Sequence, residues 1–178
     1  MRLRVVAGRL GGRQLVAPSG SSTRPTSDRV REAIFSILAS VDGARVLDLF
    51  AGSGALGIEA LSRGAGSAVF VDRAAPAVAA VRSNLERLGQ TAVVVRMPVA
   101  RALACRPVDA GLYDLVFLDP PYRLGEALGP RLSISLLPLL APGARVVAES
   151  DRRRPLALEL PLLRERQYGD TLIRIYGA

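Results

Sequence analysis

The apolar positions change their period near Arg45. Before it, Val30, Ile34, Ile37, Leu38 and Val41 recur at helical spacing. Thr26, Ser27 or Asp28 stands where a cap is needed, so the pattern predicts a helix running to about Ser40, with Arg29, Arg31 and Glu32 off its apolar stripe. Earlier still, Leu3, Val5 and Ala7 alternate with Arg2, Arg4 and Val6, and Gly8, Gly11 and Gly12 interrupt them, which predicts short strands around glycine turns. From Arg45 onward, short continuous apolar runs alternate with helix-spaced segments. Strands are expected over Arg45–Leu49, Ser67–Val71, Thr91–Arg96, Leu112–Asp119 and Ala144–Glu149. Helices are expected through Arg63, over Ala75–Leu88 and around Glu126–Leu140. Repeated βαβ units of this kind predict an α/β fold with a mostly parallel, doubly wound sheet. The last two runs, Leu162–Tyr168 and Thr171–Tyr176, meet at Gly169-Asp170 and read as an antiparallel hairpin.

Charge adds a second asymmetry. The chain has 178 residues and a net charge of +8, and every basic residue is arginine. Residues 1–27 carry Arg2, Arg4, Arg9, Arg13 and Arg24 and no acid, so five of the eight net charges sit in that stretch. A basic N-terminal segment on a nearly balanced body points to a polyanionic partner. Composition also excludes much. Without histidine there is no Ser-His triad, no histidine base and little scope for zinc. Without lysine there is no P-loop or Schiff-base chemistry. Cys105 is the single cysteine, which rules out an internal disulfide and fits a reducing, cytoplasmic setting. No run approaches the roughly 18–20 apolar residues of a membrane span, and no leader-like segment opens the chain.

Two strand ends carry the candidate chemistry. The first runs into Asp48-Leu49-Phe50-Ala51-Gly52-Ser53-Gly54, where glycines let backbone N–H groups approach a ligand closely. Gly52, Gly54 and Gly57 match G-x-G-x-x-G, and Asp72 ends the next strand twenty residues after Gly52, where a ribose diol expects an acid. A nicotinamide dinucleotide is the rival ligand. Asp48, however, would repel a pyrophosphate, whereas it suits the cationic amino acid end of S-adenosylmethionine. Beyond the third strand, the loop Arg96-Met97-Pro98-Val99 is expected beside the adenine, with Met97 on its face and no acid to take its amine.

The fourth strand ends in Asp119-Pro120-Pro121-Tyr122, at the edge where open α/β sheets bind ligands. This D-P-P-Y unit offers a carboxylate, carbonyls that the prolines leave without ladder partners, and a flat aromatic face. The set suits a planar base bearing an exocyclic amine and resembles the amino-methyltransferase signature. Hydrogen bonds from the amine to Asp119 and the Pro120 carbonyl would turn its lone pair toward a donated methyl, and Tyr122 would stack on the base. No metal is required.

Three stretches resemble one family over essentially the full length: Gly8–Leu15, Arg24–Glu32, and D-L-F-A-G-S-G-A-L-G-I-E-A-L-S-R-G-A from Asp48. It is the bacterial RsmD-type methyltransferase family, which modifies a guanine N2 in 16S ribosomal RNA. The resemblance implies a Rossmann-like class I fold, with a seven-stranded sheet ending in an antiparallel hairpin. It implies residues 1–25 as a basic RNA-contacting β extension and 26–178 as the methyltransferase domain. It implies S-adenosylmethionine as donor and an assembled or late-assembling small ribosomal subunit as partner; a monomer is expected. By position, Asp48, Phe50, Ala51, Gly52, Ser53, Gly54, Asp72, Arg73, Met97, Pro98 and Asp119 would hold the donor, and Asp119 to Tyr122 the guanine amine. Arg4, Arg9, Arg13, Arg24, Thr26, Arg29 and Arg31 would approach RNA. The chain has Asp72 where a longer glutamate is common, so the ribose contact would be looser or water-bridged. Competing functions are an adenine-N6 or cytosine-N4 methyltransferase, which usually needs a target-recognition domain that has no room here, and a non-catalytic ribosome-assembly factor.

Overall fold

A computed structural model describes residues 3–19, 26–105, 111–121 and 125–178, with side chains left out for 125–127. Its elements run α1 (Asp28–Leu38), β1 (Arg45–Leu49), α2 (Ala55–Ser62), β2 (Ser67–Asp72), α3 (Ala75–Arg87), β3 (Val93–Arg96) and α4 (Val99–Cys105). They continue with β4 (Tyr113–Leu118), α5 (Gly125–Leu136), β5 (Leu140–Asp151), β6 (Leu162–Tyr168) and β7 (Thr171–Gly177). The sheet has seven strands in the order β3-β2-β1-β4-β5-β7-β6. The first five pair in parallel, and β7 enters antiparallel between β5 and β6. Ser27 caps α1 through its side chain, which accepts from Val30 N–H.

Strand residues alternate between two apolar layers, which is why the strands read as continuous apolar runs. Val46, Phe70, Leu115, Phe117 and Val147 face one cluster with α1, α2 and α3, where Ile34, Phe35, Ile58 and Val81 are buried. Leu47, Leu49, Val71, Val116 and Leu118 face the other with α4 and α5. Asp48, the odd polar residue of β1, therefore points to the same side as α2.

The structure alters the sequence reading at three points. The helix α4 follows the expected loop Arg96–Val99, in a stretch for which no element was expected. Ordinary apolar spacing signals it weakly, because it is seven residues long and buries only Val99, Ala102 and Leu103. Secondly, Arg31 does not lie off the buried face of α1: it is 0% exposed and shares that face with Ile34, Phe35 and Leu38. Thirdly, the strands and glycine turns expected in the N-terminal segment form, in its described part, a hairpin docked on the domain. Arg4 and Gln14 form an antiparallel bridge, and Val5, Leu10 and Leu15 are buried in the first cluster. Glu59 of α2, itself fully buried, accepts from the backbone N–H groups of Val6 and Ala7 at 2.7 and 3.0 Å. Gly8 lies so close to α2 that a Cβ would meet the Ser62 carbonyl oxygen at 2.0 Å. Asn84 of α3 closes the segment by accepting from Val16 N–H and donating to its carbonyl.

Candidate active site

The C-terminal edge of the parallel strands collects the polar groups that the two apolar layers exclude. After β1 the chain turns sharply at Phe50, whose φ of 62° is unusual for a non-glycine residue and marks a constrained position. Ala51 N–H donates to the Val71 carbonyl and Gly54 N–H to the Ala51 carbonyl, at 3.1 and 2.7 Å, which fixes the turn between β1 and α2. Asn84 holds it from below by donating to the Ser53 carbonyl at 2.9 Å. Asp72, half-buried at the end of β2, accepts from Gly52 N–H at 2.9 Å and from Ala74 N–H at 2.8 Å. The acid thus ties the glycine turn to the next strand end, and its remaining lone pairs are free for a diol.

Asp48 is 3% exposed and accepts from Gly57 N–H at 2.9 Å. The third glycine is obligatory here, because a Cβ at Gly57 would meet Phe70 Cε1 at 2.4 Å and stand 3.0 Å from the Asp48 carboxylate. Burial pushes the Asp48 carboxyl up to about 8; the Gly57 bond opposes the shift and the Asp72 charge adds to it.

Asp119 follows β4, with Pro120 buried and Pro121 exposed behind it. Burial first, then the charges of Glu149 and Asp48, hold the Asp119 carboxyl well above the usual carboxylate range. Glu149 lies near the end of β5, one register position past the Leu118–Ala148 pair. It is 4% exposed and accepts from Thr26 Oγ1 at 2.7 Å. Burial raises its carboxyl as well, while the Thr26 bond and the Arg31 charge pull it back. Three neighbouring strands, β1, β4 and β5, therefore bring three carboxyl groups to one edge on one side of the sheet. Such a site favours cations and N–H donors, and perturbed carboxyls in a cleft mark functional positions. Among the described residues, no group of three His, Cys, Asp or Glu side chains is arranged to hold a metal ion.

Of the remaining expected donor contacts, Arg73 and Pro98 are exposed, and Met97 is half-buried against the second core cluster. Met97 N–H donates to the Asp72 carbonyl at 3.1 Å, so this loop does lie against the end of β2. Tyr122 and Arg24 lie outside the described residues. Arg4, Arg9, Arg13 and Arg29 are exposed. Arg4 pairs with Asp28 at 2.8 Å, and Arg9 and Arg13 reach Gln90 and the Arg87 carbonyl at the end of α3. Arg31 cannot approach RNA phosphate from its buried position. Its Nη2 donates to the Arg4 carbonyl and to Asp28 Oδ1, both at 2.6 Å, so it joins the N-terminal hairpin to α1. Thr26 is buried too, and its hydroxyl serves Glu149. Sequence reasoning missed Glu149 and Glu59. The available signal was an acid inside an apolar run in each case, Val146–Ser150 and Ile58–Leu61.

Comparison with known proteins agrees with this geometry. The family described as "Conserved hypothetical protein 95" matches residues 3–177. "Putative rRNA methyltransferase YlbH" of Bacillus subtilis is 42% identical over 98% of both chains. "Ribosomal RNA small subunit methyltransferase D" of Escherichia coli is 35% identical over 98% of this chain and 89% of its own. A solved structure, "Putative methyltransferase yhhF" from Escherichia coli, superimposes with a TM-score of 0.83 at 35% identity, covering 99% of this chain and 98% of that one. The sheet that closes with β7 is thus that of a class I methyltransferase, and the chain belongs to the RsmD family of S-adenosylmethionine-dependent ribosomal RNA methyltransferases.

Proposed function

We propose that the protein transfers a methyl group from S-adenosylmethionine to the exocyclic N2 of a guanine in 16S ribosomal RNA of the small subunit. The observation that carries this is the placement of Asp119-Pro120 at the end of β4, beside the buried Asp48 and the glycine turn. A cationic donor and a base amine would meet there. The relatives named as small-subunit methyltransferases support the choice of ribosomal RNA.

The residues present fit the donor. Asp48 is a buried carboxyl that a positive amino acid end would bring into its ionised form, and Asp72 has lone pairs for a ribose. Residues Phe50 to Gly54 present backbone at the head of α2, and Met97 flanks the β2 end with an apolar surface. When bound, the donor supplies an electrophilic methyl on a sulfonium. Everything asked of the protein is then orientation and charge. Asp119 accepts one hydrogen of the amine and the Pro120 carbonyl the other, which frees the nitrogen lone pair from the ring. As positive charge develops on nitrogen, the Asp119 carboxylate stabilises it and is placed to take the departing proton. Because the amine of a paired base is engaged, the target is unpaired or extruded from its stack. Arg29 supplies a phosphate contact beside the site, and Arg4, Arg9 and Arg13 extend the basic surface along the N-terminal hairpin, toward the C-terminal end of α3.

Transfer of labelled methyl into small subunits that lack the modification tests this, with naked 16S RNA and duplex DNA in parallel. Label on subunits is expected. Label on DNA alone would assign the protein to a different substrate, and no label on any of the three would leave a binding role without catalysis.

A further inference from the structure

A cavity of about 690 Å³ opens at the sheet edge beyond β5, between the start of α1 and the turn joining β6 to β7. Its walls include Thr26, Arg29, Glu149, Asp151, Tyr168 and Asp170. We infer that this cavity receives the extruded target base, and that Glu149 is the residue that selects guanine by accepting its ring N1–H. The inference rests on the guanine-N2 function proposed above and specifies how that site recognises its base.

Position comes first. Asp119 and Glu149 follow paired residues of β4 and β5, so their side chains leave the sheet on the same side. Burial first, and then the Glu149 charge, hold the Asp119 carboxyl up, as expected for acids at adjacent strand ends. Glu149 lines the cavity and Asp119 stands at the neighbouring strand end, so a base in the cavity whose amine reached Asp119 would have its adjacent ring edge toward Glu149. The volume suits a nucleoside, since small-molecule sites commonly span about 300–1,000 Å³.

Chemistry then narrows the occupant. The walls carry Glu149, Asp151 and Asp170 against the guanidinium of Arg29, and Arg152 pairs with Asp170 at 3.2 Å, so Glu149 and Asp151 are the carboxyl groups left to favour N–H donors. Guanine presents N1–H directly beside its amine. Adenine and cytosine present a ring nitrogen lone pair beside theirs, which a carboxylate repels. One Glu149 oxygen, Oε2, is engaged by Thr26. The other oxygen, Oε1, takes no part in that bond and is the one proposed to meet the ligand. Arg31 explains itself in the same terms. It is fully buried, with Nε and Nη1 unpartnered, and its charge acts on Glu149 to favour the acceptor form. Tyr168, half-buried in the wall, offers a flat face to the base.

The test compares small subunits carrying either guanine or 2-aminopurine at the position that the wild-type chain methylates. 2-Aminopurine keeps the amine but has a bare ring nitrogen in place of N1–H. A site built to pair a polar group rejects an analogue lacking it by large factors. Wild type is expected to prefer guanine by at least about a hundredfold. In Glu149→Gln, whose amide can also donate, that preference is expected to shrink about tenfold or more, with S-adenosylhomocysteine affinity unchanged. Thr26→Val, which frees Glu149 from its anchor, is expected to shrink it less and provides the decision should the glutamine variant fail to fold. A preference unchanged in folded variants would overturn the role of Glu149, even with wild-type methylation intact. Failure of the wild type to methylate subunits at all would instead remove the function on which the inference rests.

Discussion

Asp48 and Asp119 are both carboxyl groups at strand ends, yet each was recognisable from its neighbours: a glycine turn after one, two prolines after the other. Arg31 and Glu149 were not, because helical spacing sets Arg31 off the apolar stripe, and an acid inside an apolar run, as at Glu149, does not name its partner. Only the fold supplies the partners, Asp28 and the Arg4 carbonyl for Arg31, and Thr26 for Glu149. At this scale the pH behaviour of Asp48 is a consequence of its burial. Its carboxyl titrates near 3.8 in the unfolded chain and about 8 in the donor-free fold. The folded value is the higher one, so its stabilising effect is complete below the unfolded value and is lost as pH rises through about 8. Donor-free protein is therefore expected to lose stability to urea between about pH 5 and about pH 8, and Asp48→Asn to lose less. Asp119 and Glu149, raised by the same cause, keep part of the slope in the variant. Binding of a cationic donor favours the ionised Asp48, so donor affinity is expected to rise with pH over the same interval in wild type, and to stay flatter in Asp48→Asn. Equal slopes in calorimetric titrations of the two proteins would contradict the role of Asp48.

The parallel strands and the closing hairpin were legible because a strand buried on both faces is a continuous apolar run, and β6 and β7 meet at a glycine turn. Boundaries moved little: Arg45–Leu49 is unchanged, and β5 starts earlier, at Leu140, because its early residues pair irregularly with β4. The N-terminal hairpin was legible as strand and turn but not as a docked element. Alternation and glycines mark the turns, whereas the acid that receives them, Glu59, is more than fifty residues away. That acid accepts from two backbone donors and pairs with Arg63 at 2.8 Å, inside the fold. Removing it leaves buried donors without partners. Glu59→Ala is expected to cost about 3 kcal/mol in chemical denaturation, and to release residues 3–16 to proteolysis before the rest of the domain. A loss below about 0.5 kcal/mol with the hairpin still protected would contradict this account of the docking.

Across the whole molecule, the excess positive charge has a location. Arg4, Arg9 and Arg13 are displayed by a hairpin held rigidly against α2 and α3, and Arg29 by the start of α1, near the edge that carries the site. Deleting the hairpin would expose Val5, Leu10 and Leu15 core contacts, so charge removal is the sounder test. Arg9→Ala with Arg13→Ala is expected to weaken binding to 16S RNA and to lower the salt slope of log affinity by about 1 to 2, with little change in donor affinity. An unaltered slope would place the RNA elsewhere on the surface. The charge asymmetry was plain in the sequence; the rigid display was not, since it depends on contacts that the chain makes only when folded. Nucleoside analysis of labelled small subunits identifies the atom that receives the methyl. After digestion, the account predicts label in N2-methylguanosine from a single site with the wild-type protein, and none with Asp119→Ala, although that variant still binds S-adenosylhomocysteine. Label in N6-methyladenosine or N4-methylcytidine, or full transfer by Asp119→Ala, would contradict it.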